Sequence, residues 1–282
     1  MTVRLIEVPA CGETGLAAQL DSALSIARPL GAHIRVTYVR TNPVAEVAGL
    51  VPEAATGVWL AELADAAAAR LKKRKHEFEE WCARNGLGDK AVEHALASTF
   101  ATWEEIDGTI EETVMRRGRL SDLIVVKSPE ADLAASLCFD AAVFASGRPT
   151  LVAPAKAPTN ILGHVVLAWN GSLEATRAVW QCVDILHEAE RVSIFSTPRH
   201  RDESQPSELA DALRWHGIRC EHIHPIDDRD SVGAALLETA DRAGGTAIVM
   251  GAFTHSRIRE VLLGGVTRHV LRHSTLPMFM AH

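Results

Sequence analysis

The sequence predicts an α/β protein made of two tandem doubly wound parallel-sheet domains, residues 1–157 and 158–282. Three observations lead there. Short β-branched runs alternate with longer helical patterns along the whole chain, as parallel strands covered by helices require. The order β-α-β-α-β-α-β-α-β is spelled twice, and the landmarks Val126 and Met250, or Pro149 and Pro277, recur at nearly constant separation, which suggests duplication. A length of 282 residues also suits two ordinary domains, each able to bury its own core.

In the first half Val3 to Val8 reads as a strand, and Leu16 to Leu30 has helical periodicity that stops at Gly31. His33 to Val39 is the next strand. A long helix follows from about Val58 to Asn85, with Trp59, Leu63, Ala67, Leu71, Phe78 and Trp81 forming one apolar stripe and Gly86 and Gly88 ending it. Val92 to Ala97 reads as a weak strand. Trp103 to Arg117 reads as helical, with Thr102 as N-cap and Glu104, Glu105 and Asp107 as an acidic first turn that complements the helix dipole. The continuous apolar run Leu123–Val126 reads as a fully buried strand. A helix from Glu130 to Ser146 and a strand from Thr150 to Ala153 complete the unit.

The second half restarts after Pro154, Pro158 and Asn160. Its predicted strands are Val165–Trp169, Arg191–Ser196, Cys220–Pro225, Ala247–Met250 and Met278–Ala281. Helices fall between them at Leu173–Glu188, Ser207–Trp215, Ser231–Ala243 and Val266–Arg272.

Composition narrows the function. Hydrophobic residues at 47% and charged residues at 23% describe a globular chain. Lys and Arg number 29 against 36 Asp and Glu, and the net charge of −7 argues against nucleic acid as a partner. The basic run Arg70–Lys75 is followed by Glu77, Glu79 and Glu80, so it reads as a solvated helix face. No apolar run has the length of a membrane span, and the first residues read as a strand rather than a signal peptide, so no membrane role is expected. Cys11, Cys82, Cys138, Cys182 and Cys220 are scattered without C-x-x-C spacing, which fits free thiols in the cytoplasm. His269 and His273 share a helix face and His222 and His224 a strand face, yet no further ligand is placed to finish a zinc site, so no metal site is read.

One segment combines strand, glycines and hydroxyls: Ala247-Ile-Val-Met-Gly251-Ala-Phe-Thr254-His255-Ser256, continuing through Gly264-Gly265-Val-Thr267-Arg268. Glycines let a backbone approach a ligand closely, and first-turn helix amides favour phosphate. A Gly-Gly pair that serves only close packing is the competing reading. The segment resembles the G-x2-G-x9-G-[ST] signature of the nucleotide-binding universal stress proteins, with Gly251 at the first glycine and Gly264 at the third. Ala168-Trp-Asn170-Gly171-Ser172 resembles the end of that family's first strand. The similarity is close in the second half and architectural in the first. The family's fold is universal-stress-protein-like, also called adenine nucleotide alpha hydrolase-like.

This sequence departs from the signature in named ways. Thr254 stands at the second glycine, Gly265 at the terminal Ser/Thr, and Asn170 where an aspartate is usual. Thr254 is β-branched where the backbone would hug phosphate, Thr267 is the substitute hydroxyl, and Asn170 hydrogen-bonds without charge. In the first half Lys127-Ser128-Pro129-Glu130 stands at the place of Gly251, so that half is expected to hold no nucleotide in the family's manner.

The resemblance implies a stress-response protein that binds ATP or a related adenine nucleotide in its second half, with Mg2+ as an optional companion of the nucleotide. The site would comprise Asn170, Gly171, Gly251, Thr254, His255, Ser256, Gly264, Gly265 and Thr267, with no catalytic residue and little or no turnover. It also implies a homodimer, or an internal pseudo-dimer, made through the last strands Thr150–Ala153 and Met278–Ala281. Two alternatives stay open: a protein-interaction module with decayed pockets, and a slow nucleotide hydrolase in which His255 or Glu260 positions water.

Overall fold

The computed structural model describes residues 3–12, 14–41, 56–87, 99–156, 158–197, 205–225, 231–253 and 265–282. In the first half β1 (Leu5–Pro9), β2 (His33–Arg40), β3 (Ala101–Asp107), β4 (Leu123–Lys127) and β5 (Thr150–Ala153) alternate with α1 (Leu16–Leu30), α2 (Thr56–Asn85), α3 (Ile110–Arg119) and α4 (Leu133–Ala145). In the second, β6 (Val165–Ala168), β7 (Val192–Phe195), β8 (Cys220–Ile223), β9 (Ala247–Gly251) and β10 (Met278–Ala281) alternate with α5 (Leu173–Gln181), α6 (Val183–His187), α7 (Pro206–Arg214), α8 (Val232–Arg242) and α9 (Val266–His273).

All ten strands form one sheet, in the order β3-β2-β1-β4-β5-β10-β9-β6-β7-β8. Within each half the pairing is parallel, and the halves meet where β5 and β10 pair antiparallel, Leu151 opposite Phe279 and Val152 opposite Met278. Each last strand therefore covers the edge that the other would expose. Because side chains alternate across a strand, the apolar runs feed two core layers at once. Ile34, Leu123, Leu151, Leu167 and Phe279 lie in one layer, and Ile124, Val126, Val152, Ile248 and Met280 in the other. Both layers run through the β5–β10 seam without a break in apolar contact.

Local chemistry sets the helix ends. Gly31 ends α1 in the left-handed region at φ +61°, where its N–H returns to the carbonyls of Ala27 and Arg28. Side-chain caps from Thr109, Asp132, Ser172 and Ser231 start α3, α4, α5 and α8. On α2 the buried Trp81 donates its indole N–H to Asp21 of α1 at 2.7 Å, which ties the long helix to the sheet's first layer.

The structure corrects the sequence reading at Trp103–Arg117. Ala101–Asp107 is a strand that pairs with β2 from Ile34 opposite Ala101 to Arg40 opposite Asp107. The helix begins only at Ile110, capped by Thr109 rather than Thr102, with Glu111 and Glu112 as its acidic first turn. The acids read as a helical turn are strand side chains matched with bases: Glu104 with Arg117, Glu105 with Arg40 and Lys75, Asp107 with Arg40. Leu173–Glu188 is two helices, divided at the fully buried Cys182. The strand read at Val92–Ala97 lies outside the described residues. Among the described residues no helix is long and apolar enough to cross a membrane.

Candidate functional site

The order β9-β6-β7 places three carboxyl strand ends side by side in the second half, the edge at which doubly wound sheets receive ligands. At the end of β6, Gly171 takes φ +74° and lets the chain turn into α5. The Asn170 side-chain oxygen accepts from the Ser172 N–H at 3.1 Å, and Ser172 Oγ accepts from the Ala175 N–H at 3.1 Å. At the end of β9, a Cβ on Gly251 would lie 2.6 Å from the Ala175 nitrogen and 2.7 Å from the Glu174 carbonyl carbon. Gly251 thus admits the first turn of α5 against the strand end.

Beyond Gly251, the Ala252 N–H donates to the Ala281 carbonyl at 2.8 Å. Phe253 sits at φ +54°, and its N–H donates to Thr267 Oγ1 at 3.3 Å. Thr267 is buried on the first turn of α9. That helix starts at Gly265, which supplies no side-chain cap, and no acid lies in its first turn. Its N-terminal partial positive charge is therefore offset by neither a side-chain cap nor an acid, as is also the case at α1, which starts on Gly15. Just past β7, Thr197 is 4% exposed, and its hydroxyl has no partner among the described residues.

The first half answers the same geometry with side chains. Lys127 pairs with Ala153 as Gly251 pairs with Ala281, so the two occupy one register position. Cys11 and Gly12 likewise stand where Asn170 and Gly171 do, since Ala10 donates to Thr37 as Trp169 donates to Phe195. The Lys127 ammonium, on a side chain 9% exposed, donates to Asp132 at 2.6 Å and to the Thr14 carbonyl at 3.3 Å. The buried Arg74 donates twice to the Gly12 carbonyl and pairs with Glu77 at 2.7 Å. Burial pushes the Asp132 carboxyl up, but the Lys127 ammonium and the Ala135 N–H outweigh it and hold its pKa below the usual value. Two internally neutralised ion pairs thus fill the strand ends. Behind them, burial and a hydrogen bond with Cys11 push the Cys138 thiol well up.

A cavity of about 800 Å³ also lies in the first half, lined by His33, Arg35, Phe78, Trp103 and Glu104 among others. It sits beside the amino ends of β2 and β3, away from the strand ends just described. Among the described residues no three His, Cys, Asp or Glu side chains gather to hold a metal, and the His269 and His273 rings stack on each other at 4.3 Å.

Residues 196–282 match the model of the universal stress protein family. The chain carries a universal stress protein domain. Its whole fold is similar to that of a universal stress protein from Archaeoglobus fulgidus DSM 4304, with a TM-score of 0.68 at 14% identity over 98% of this chain and 95% of that one. It is also similar to a functionally unknown protein from Pseudomonas aeruginosa PAO1, with a TM-score of 0.50 at 15% identity over 99% and 92% of the two chains. No curated protein matches the sequence. The length covered in the first comparison agrees with a tandem form of the universal stress protein fold.

Of the site residues read from the sequence, Asn170, Gly171, Gly251, Gly265 and Thr267 are described, all at the carboxyl edge of the second half's strands. Thr254, His255, Ser256 and Gly264 lie outside the described residues, as does Glu260. Sequence reasoning missed Thr197 and Phe253. A hydroxyl pair, Ser196-Thr197, directly after the strand Val192–Phe195 was the available signal for the first. A left-handed phenylalanine leaves none.

Proposed function

We propose that the universal stress protein domain, residues 158–282, binds ATP or a related adenine nucleotide at the β9-β6-β7 edge and acts as a sensor with little or no turnover. The observation that carries this reading is the α9 N-terminus, which starts on Gly265 without a side-chain cap or an acid, at the same sheet edge as the Thr197 hydroxyl, which has no partner among the described residues. The first-turn amides of α9 would hold phosphate, and Thr197 and the exposed Asn170 would reach the nucleoside. Mg2+ would enter with the phosphates. In this reading residues 1–157 form a domain closed by Lys127 and Asp132, paired to the second as an internal pseudo-dimer through β5 and β10, and the protein works in the cytoplasm.

Thermal unfolding with ATP, ADP and AMP, each with and without Mg2+, tests the proposal. A ligand at a hundred times its Kd stabilises by about 2.7 kcal/mol, a shift of several degrees. An unchanged melting temperature at millimolar concentration of all three removes it.

One observation favours the interaction-module reading instead. The Ala252 and Phe253 amides, which a glycine loop would turn to phosphate, are already engaged by Ala281 and Thr267. That reading expects no nucleotide in protein purified under native conditions; mass spectrometry of the ligand fraction decides between the two.

A further inference from the structure

Phe253 and Gln205 are the only non-glycine residues with positive φ among those described, and Phe253 stands at the root of the candidate site. A bulky side chain keeps that conformation only where its surroundings over-determine it. The rings that pack against Phe253 come from the other half of the chain. Its ring lies 5.3 Å from Phe144 and 6.4 Å from Phe139, both on α4, and those two rings meet edge-on at 6.5 Å. The C-terminal His282 ring packs against Phe144 at 4.9 Å, and its Nδ1 donates to the Ala252 carbonyl at 2.8 Å.

The pseudo-symmetric side of the same seam is built differently. Counted back from the last strands, Arg272 of α9 holds the place of Phe144, and it meets the turn after β4 in an exposed 3.4 Å ion pair with Glu130. One turn is gripped by edge-on and tilted rings and the other is touched by solvated charge. The gripped turn is the one beside the uncapped helix.

We propose that Phe139 and Phe144 are positioning residues for the ligand site of the other half. They hold Phe253 in its left-handed conformation and so fix the turn Gly251–Phe253, whose amide at Phe253 in turn orients Thr267 at the start of α9. The first half, its own strand ends plugged, serves as the wall against which the second half's site is set. This rests on the nucleotide reading only for what the fixed turn is used for; the fixing itself is independent of it.

Amide hydrogen exchange of the full chain, followed in peptides spanning Val249–Phe253, tests the fixing without ligand. Phe144→Ala speeds exchange at Ala252 and Phe253 at least tenfold, and Glu130→Ala, cutting the other side of the seam, leaves it unchanged. Phe253→Gly, which accepts the left-handed backbone but has no ring, gives the same acceleration and serves if Phe144→Ala does not fold. Equal acceleration in Phe144→Ala and Glu130→Ala, or no acceleration in either Phe variant, overturns the proposal. ATP affinity is then read separately: Phe144→Ala raises Kd about tenfold and Glu130→Ala does not. An unchanged Kd in Phe144→Ala overturns the positioning role. Absent ATP binding in the unaltered chain overturns the nucleotide reading alone, and the exchange comparison still decides the fixing.

Discussion

Gly251 and Lys127 occupy one register position in two halves of one sheet, yet they produce opposite strand ends. Without a Cβ, Gly251 lets the backbone of α5 close to within a distance no side chain would tolerate. Lys127 holds the same space with its own stem and turns its ammonium on Asp132 and the Thr14 carbonyl. The contrast teaches that the choice at this position is between helix backbone and side chain as the filler. Any hollow for the proposed ligand must then come from neighbouring elements, and α9, which starts without a side-chain cap, is the one that would supply it.

Gly251→Val is the harshest way to break the comparison. The new Cβ meets backbone atoms of Glu174 and Ala175 below 3 Å, and backbone cannot swing aside as a side-chain tip can. Overpacking of this kind costs about 3 kcal/mol, visible as a lower urea midpoint. A loss under about 0.5 kcal/mol would mean that α5 slides freely, and Gly251 would return to being a ligand-facing glycine.

Lys127→Met breaks it from the other side, with an expected loss of about 2 kcal/mol. Severing a buried pair costs about 3–5 kcal/mol, but the Asp132 side chain is 34% exposed and water recovers part of that. The pH profile gives the sign. The folded pKa of Asp132 lies below its ordinary value, so its contribution is present above that value and is lost as pH falls through the folded one. Lys127→Met should flatten the acid limb below about pH 4; an unaltered limb would show that the Ala135 N–H alone lowers the carboxyl.

The sequence made some of this contrast legible and hid the rest for definite reasons. Leu16–Leu30, Thr150–Ala153 and Met278–Ala281 were readable to the residue because glycine or proline punctuates strong periodicity. Trp103–Asp107 was misread because an edge strand whose acids all face bases on neighbouring elements looks, in one dimension, like an acidic helix start. Asn170, Gly171 and Gly251 were found because glycine marks special backbone. That Gly251 serves the approach of α5 was not readable, since the helix it admits begins 78 residues earlier, at Leu173. The Lys127–Asp132 plug has no motif, only a spacing that every helix entry shares.

A smaller and more symmetrical test compares the two histidines near the amino edge. His164 donates from Nδ1 to the Ala243 carbonyl and accepts at Nε2 from Ser193; His33 does the same with the Phe100 carbonyl and Thr102. Burial lowers the pKa of both, and the Arg191 charge adds to the effect at His164. The unfolded chain therefore takes up the proton first, and stability is full above about pH 6.5 and falls as pH drops toward the folded values. His164→Gln should make the decline between about pH 6.5 and 5 shallower, measured as the slope of unfolding free energy against pH. An unchanged slope would assign the decline to His33 alone.

The smallest effect belongs to the Glu130–Arg272 pair, and its smallness is the point. Both side chains are about half exposed and the contact is single at 3.4 Å, so solvent screens the attraction and ordering two long side chains offsets much of it. A double-mutant cycle of Glu130→Ala and Arg272→Ala should give a coupling under about 0.5 kcal/mol that vanishes in high salt. The same cycle on Phe144→Ala and Phe253→Gly should give about 1 kcal/mol and resist salt, since edge-on and tilted rings hold by packing. If the ion pair couples as strongly as the rings, the seam is gripped alike on both sides, and the first half has no special hold on the turn after β9.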